Sequence, residues 1–234
     1  MMPSAQLSLE TRARRSGGIS EDAIYAMVAT ALATRGIRGG LFLDVGCGSG
    51  RLRPFVAKRF VRYAGVDAVR YPEFPAEAEF HEFDLEAGAP LLDACADVVA
   101  AVETIEHLEN PRAFVRELTR LAKPGGWVVV TTPNQLTVLS LLTLVVKQRF
   151  AAFQDVHYPA HVTALLEVDL RRIAGECGLC EIGIEFSRSG RIALSDRHYP
   201  SWLAKRCPRA CSDNILLIGR KPSCDRMVSA GGER

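Results

Sequence analysis

Several features that would fix a function class at once are missing from this chain of 234 residues. No apolar run reaches the roughly 20 residues that cross a bilayer, and the longest, Leu136 to Val146 (LTVLSLLTLVV), falls far short. A transmembrane helix is therefore excluded. No apolar run follows the basic residues near the start (Arg12, Arg14, Arg15), so no cleaved secretory signal is expected. Charge of one sign is also lacking: 29 Lys and Arg stand against 27 Asp and Glu, a formal net charge of +2 spread along the chain. A nucleic-acid partner, which calls for concentrated positive charge, is not expected. The seven cysteines, at positions 47, 95, 177, 180, 207, 211 and 224, are odd in number and without regular spacing. That pattern argues against a disulfide framework and for reduced thiols in a cytoplasm. Cys177 and Cys180 offer half of a zinc spacing, but Cys207 and Cys211 do not repeat it. The first pair reads instead as small apolar residues at a helix end.

What is present suffices for one core. With 48% hydrophobic and 24% charged residues, a chain of this length forms one α/β domain with short extensions, as a monomer or a homodimer. Residues 1–19 read as a flexible polar tail, and residues from 221 to 234 as a disordered one. The domain is expected over 20–220. Ser20 is placed as an N-cap ahead of first-turn acids Glu21 and Asp22, with a helix through Thr34 ended by Gly36. From Leu41 short apolar runs alternate with amphipathic segments, the pattern of a mostly parallel sheet with helices on both faces. Seven strands are predicted: Leu41–Val45, Tyr63–Val66, Ala78–Phe83, Ala96–Val102, Trp127–Thr131, Glu181–Phe186 and Asn214–Gly219. Arg51–Arg59 and Pro111–Ala122 have helical spacing, and Lys123-Pro124-Gly125-Gly126 reads as a sharp stop after the second. Residues 135–165 break the alternation and form an insertion, the kind of segment that commonly carries substrate recognition. Its apolar stretch reads as a buried helix on the sheet, with a lid or an interfacial helix as the other use.

The segment Leu43-Asp44-Val45-Gly46-Cys47-Gly48-Ser49-Gly50 follows a strand and opens a helix, where a parallel sheet brings backbone close to a nucleotide-like ligand. Asp67 ends the next strand, where a carboxylate can accept from ribose hydroxyls, and Asp84 ends the one after. A dinucleotide dehydrogenase would need glycine at position 51, which is Arg51. These segments, with Gly65-Val66-Asp67, Phe83-Asp84-Leu85, AVETIEHLENP at 101–111, the TTPN ending at Asn134 and the later His161-Val162-Thr163-Ala164, resemble the class I S-adenosylmethionine-dependent methyltransferases.

The resemblance implies a Rossmann-like seven-stranded sheet whose last strand is antiparallel, and S-adenosyl-L-methionine as cofactor. It implies that Asp44 and the loop of Gly46, Cys47, Gly48 and Gly50 surround the methionine end. Asp67, with Ala68 beside it, would hold the ribose, Asp84 would accept from the adenine amino group, Leu85 would pack on the ring, and Val102 and Glu103 would line the cofactor. Strand-end acids also suit a sulfonium and would repel a phosphate-rich ligand. His107 and His161 are the candidate bases for a hydroxyl acceptor. The expected reaction is O-methylation of a small or lipid-linked hydroxyl acceptor, with N-methylation the other option because nothing in the sequence fixes the acceptor atom. The TTPN-to-HVT region is similar to methyltransferases of bacterial glycan and lipid-linked sugar modification. The site is read without a metal. In a second reading, Glu103-x-x-Glu106-His107 matches the E-x-x-E-H of small-RNA 3′-end and some quinone O-methyltransferases, with His157 or His161 completing a magnesium or manganese site. The near-neutral charge disfavours the RNA version. A third reading is a methyltransferase-like binding module without catalysis. The apolar stretch and Lys147-Gln148-Arg149 leave room for weak membrane-surface contact.

Overall fold

Alternation along the strands decides which side of the sheet each apolar residue serves. In β1 (Gly39–Val45) Phe42 joins one core cluster while Leu43 and Val45 join the other. β4 (Ala96–Ala101) sends Val98 and Ala100 one way and Val99 and Ala101 the opposite way. β5 (Ala122–Pro133) does the same with Val129 against Val128 and Val130. A sheet apolar on both faces needs a helical layer on each. α1 (Asp22–Thr34) covers one with Ile24, Tyr25, Val28 and Leu32. α3 (Pro111–Leu121) and α5 (Glu167–Glu176) cover the other with Phe114, Leu118, Leu121, Leu170 and Ile173. Each such side chain, once buried, contributes on the order of 1.5–3 kcal/mol against exposure.

In this computed structural model residues 17–88 and 90–223 are described, so the expectations for tail residues 1–16 and 224–234 lie outside them. The remaining elements are the one-turn α2 (Arg53–Val56), β2 (Phe60–Asp67), β3 (Glu79–Glu82), α4 (Val138–Lys147), β6 (Cys180–Phe186), α6 (Ser201–Arg206) and β7 (Asn214–Arg220). The seven strands lie in the order β3-β2-β1-β4-β5-β7-β6. The neighbours from β3 to β5 are parallel, and β7 runs antiparallel to both β5 and β6. All seven predicted strands are present, the last one reversed. Between β1 and β4 the chain order turns back on itself, the place where open α/β sheets bind ligands beyond the carboxyl ends of the strands.

Four local expectations need correction. The first helix starts one residue late, with Glu21 at the N-cap, because the Ser20 amide donates to the Tyr25 hydroxyl. The helix expected over Arg51–Arg59 is a single α turn from Arg53 and a 3-10 turn, since Pro54 fixes the start and the chain must enter β2 at Phe60. Lys123-Pro124-Gly125-Gly126 stops α3 but lies inside β5, where the register with β4 shifts between Ala96 and Val98. The apolar stretch 136–146 does form a helix, capped by the Thr137 side chain accepting from Ser140 N at 2.9 Å, but it is not buried. Ser140 is its buried residue, and none of its apolar side chains joins the core cluster on either face of the sheet. Among the described residues, no helix is long and apolar enough to cross a membrane.

Candidate functional site

The carboxyl ends of β1, β2 and β4 open into a cavity of about 370 Å³. Its floor is the glycine loop. Gly46 N and Cys47 N donate to the Val66 carbonyl, which ties the loop to β2. Gly48 has φ +50°, and a Cβ there would lie 2.1 Å from the Gly18 carbonyl oxygen, so only glycine fits. That carbonyl also accepts from Ser49 N at 2.9 Å, so the strand of chain before α1 closes over the loop.

Acids surround the loop. Asp67 accepts from Gly48 N at 2.8 Å and Ala68 N at 2.7 Å, which orients its carboxylate at the end of β2. Burial pushes its pKa up, against those amide bonds. Asp44 is buried and accepts from the Tyr63 hydroxyl; burial first, and the neighbouring Asp67 charge less, push it to about 7. Asp84 follows β3, accepts from Glu86 N at 2.8 Å and lies on the cavity wall with Leu85. Cys47, Ala68, Val102 and Glu103 are also on the wall. Gly50 is not: it sits behind the loop, against Phe74 and Pro75.

The other end of the cavity is built where two distant segments meet. Val162 N and Thr163 N donate to the Glu106 carbonyl at 2.9 and 3.0 Å, and the Thr163 hydroxyl donates to Leu108 O at 2.6 Å. This docking brings His161 against His107, ring centroids 4.8 Å apart, with His157 stacked behind His161 at 5.4 Å. Nδ1 of His107 bonds the Ala160 carbonyl at 2.9 Å, and Nδ1 of His161 bonds the Ala152 carbonyl at 2.8 Å. A carbonyl only accepts, so in the neutral rings each Nδ1 carries the hydrogen and Nε2 is the basic nitrogen; the His107 ring also bonds the Glu103 backbone. Burial pulls both pKa values down, His161 to about 4 with help from the His107 charge.

Glu106 is fully buried beside them. Its Oε2 accepts from the Thr132 hydroxyl at 3.1 Å, and its Oε1 has no partner among the described residues. Burial, then the charge of Glu103, push its pKa well up. One donor atom from each of Glu106, His107 and His161 lies within 4.8 Å of the other two. Glu103, which the E-x-x-E-H spacing would add, is engaged elsewhere: Oε1 accepts from Thr131 at 2.8 Å and Oε2 from Asn214 at 2.7 Å.

Of the insertion's polar groups only His161 reaches the cavity; His157 stands behind it, and Tyr158 is 72% exposed and off the wall. Sequence reasoning missed Gly18, Tyr25, Arg191, Asp213 and Asn214, all on the wall. Gly18 had a signal in the Gly17-Gly18 pair ahead of a helix. Asn214 had none, because its role depends on β7 lying next to β5.

The model of a family described as a methyltransferase domain matches residues 21–179. The ubiquinone biosynthesis O-methyltransferase of Paracidovorax citrulli is 32% identical over 119 residues, which are 47% of this chain and 50% of that protein. A "Probable S-adenosylmethionine-dependent methyltransferase" of Mycolicibacterium smegmatis is 29% identical over 179 residues, 73% of this chain and 65% of that one. The chain thus spans about half the length of the first curated relatives it matches. Among solved structures, a SAM-dependent methyltransferase from Archaeoglobus fulgidus superposes with a TM-score of 0.58 at 19% identity, covering 84% of this chain and 94% of that one. At that identity the likeness speaks for the fold.

Proposed function

The chain belongs to the methyltransferase domain family, and from that premise we propose that it transfers a methyl group from S-adenosylmethionine to a hydroxyl of a small or lipid-linked acceptor. The observation that carries this reading is one cavity with a glycine loop and strand-end acids at one end and two neutral imidazoles at the other. When bound, the cofactor supplies a sulfonium-activated methyl that an acceptor oxygen can take by displacement. The protein's tasks are then to hold, align and exclude water. Asp67, its carboxylate already fixed by Gly48 N and Ala68 N, would accept from the ribose hydroxyls with its remaining lone pairs. Asp44 would face the amine of the methionine end, whose positive charge favours the ionised carboxylate. Asp84 and Leu85 would meet the adenine. The acceptor hydroxyl's proton would pass to Nε2 of His107, because His161, pulled to about 4, is a weak base at neutral pH. The relatives named for ubiquinone biosynthesis favour a ring hydroxyl on that acceptor.

A second reading keeps the reaction and adds a divalent cation, and one observation favours it: Glu106 Oε1 is buried with no partner among the described residues. One ligand atom from each of Glu106, His107 and His161 lies within 4.8 Å of the other two, a mixed carboxylate and imidazole set. With both Nδ1 atoms held by backbone carbonyls, as in ligating histidines, Nε2 would be the nitrogen that binds. Such an ion would lower the pKa of an acceptor hydroxyl. Calorimetry with S-adenosylhomocysteine, followed by transfer to catechol as a ring-diol probe with and without chelator, tests both readings. Absence of binding heat would sink the methyltransferase reading in favour of a non-catalytic module. Full transfer in chelator would sink the metal and leave His107 as the base.

A further inference from the structure

α4 wears its apolar side outward. Val138, Leu141, Leu142, Val145 and Val146 recur at the spacing of one helical face, and their exposures are 37%, 42%, 50%, 74% and 78%. The inward side carries the buried Ser140, whose Oγ accepts from Ala151 N at 3.2 Å. A water-facing helix normally has the reverse arrangement, so this face is made for something other than water.

Charge says what. Residues 135–154 contain Lys147 and Arg149 and no acid, and residues 200–212 contain Lys205, Arg206 and Arg209 and no acid, in a chain that is otherwise near balance. The two segments touch: Val138 N donates to the Ala210 carbonyl at 3.1 Å, and Asn134 Nδ2 to the carbonyls of Arg209 and Ser212 at 2.8 Å each. Arg149 is paired with Asp155 and Arg209 with Glu167. Among the described residues Lys147 bonds the neutral Gln154 side chain. Among the described residues no carboxylate pairs with Lys147, Lys205 or Arg206, and Trp202, one turn before that basic pair, is 69% exposed.

We propose that this face docks on an anionic lipid bilayer, with the α4 stripe in the headgroup boundary and the uncompensated cations toward acidic lipid. A second copy of the chain suits the patch less. Five side chains on one short convex helix offer a few hundred Å², below the about 800 Å² per partner of a stable interface. The docked face also adjoins the cavity: past α4, Ala152 lies on the cavity wall and its carbonyl holds His161. A bilayer at α4 would bring the histidine end of the cavity close to lipid. The inference does not rest on the acceptor proposed above.

Vesicle flotation of the full chain tests it, with S-adenosylhomocysteine calorimetry as the check on the fold. The wild type should float with vesicles of equal parts phosphatidylcholine and phosphatidylglycerol, and at least about tenfold less with phosphatidylcholine alone, given about one kcal/mol per cation. Val145→Glu with Val146→Glu should lose flotation while keeping the binding heat. Lys205→Gln with Arg206→Gln should lose the preference for the anionic vesicles. No flotation of the wild type, or equal flotation of the glutamate variant, overturns the proposal. So does a wild-type dimer in light scattering that the glutamate variant splits, because the face is then a contact between copies.

Discussion

The two ends of the cavity are built by opposite means. At the glycine-loop end, recognition groups are backbone or are pinned by it: Asp67 by Gly48 N and Ala68 N, and the loop by the Val66 carbonyl. At the histidine end they are side chains brought together from segments far apart in sequence, and one of them, Glu106, keeps a buried oxygen with no partner among the described residues. A ligand that does not vary can be met by a fixed backbone, and an end that must suit a particular acceptor is assembled from exchangeable side chains. If this contrast is right, damage to the first end should abolish cofactor binding, and damage to the second should spare it.

The largest effect is expected from Gly48→Ala. The new methyl would collide with the Gly18 carbonyl at a residue with φ +50°, so the loop or the chain over it must move. Affinity for S-adenosylhomocysteine should fall at least about hundredfold, at about 1.4 kcal/mol per factor of ten. An unchanged dissociation constant would break the first half of the comparison. Next comes Asp67→Ala, which removes hydrogen bonds to a charged acceptor and should weaken the same affinity by about 1.5–3 kcal/mol. Binding equal to wild type would remove Asp67 from the ribose. At the other end, His161→Ala should lower catechol transfer about 10- to 100-fold, the range for losing support at a metal or proton site, with calorimetry unaltered. A parallel loss of cofactor affinity would show that the two ends do not work apart.

The same contrast explains what the sequence made legible. The succession of strands along the chain, the loop and the strand-end acids follow from local rules: alternation, glycine where backbone must approach, an acid where a strand ends. The partner of Asp44 does not. Tyr63 reaches it because β1 and β2 pair in the register that sets Leu43 beside Ala64, and pairing is not written in either strand alone. The histidine pair was nameable from residue types, but its contact depends on the docking of Val162 and Thr163 onto the Glu106 carbonyl across more than fifty residues. α4 was misjudged because apolar spacing reports a face, not the side on which protein lies.

A smaller effect should come from pH. Asp44 is held up to about 7, so at pH 6 it is largely protonated in the free protein, and a cationic amine beside it favours proton release. Affinity for S-adenosylhomocysteine should therefore rise with pH below 7 by at most about tenfold per unit, flatten above, and lose this slope in Asp44→Asn. The stability of the free protein carries the opposite sign. The folded pKa lies above the unfolded one, so the Asp44 contribution is present near pH 4 and is lost as pH rises through about 7. A calorimetric series across this range that is flat for wild type would show that Asp44 does not meet the cofactor's charge.

The smallest effects separate two neighbours in the insertion that look alike in sequence. His157 stacks on His161 with planes 22° apart and centroids 5.4 Å apart, and its Nδ1 accepts from Gln154 N at 3.2 Å, so it steadies a ring without reaching the cavity. Losing one ring contact costs about 0.5–1 kcal/mol, so His157→Ala should slow catechol transfer about two- to fivefold and leave S-adenosylhomocysteine binding as it was. Tyr158, next in the chain, is 72% exposed and off the cavity wall, and its replacement by alanine should change neither measurement. A tenfold drop in turnover with Tyr158→Ala would mean that the segment folds over the cavity during the reaction. The histidine end would then be a moving part, where the geometry here makes it as fixed as the glycine loop.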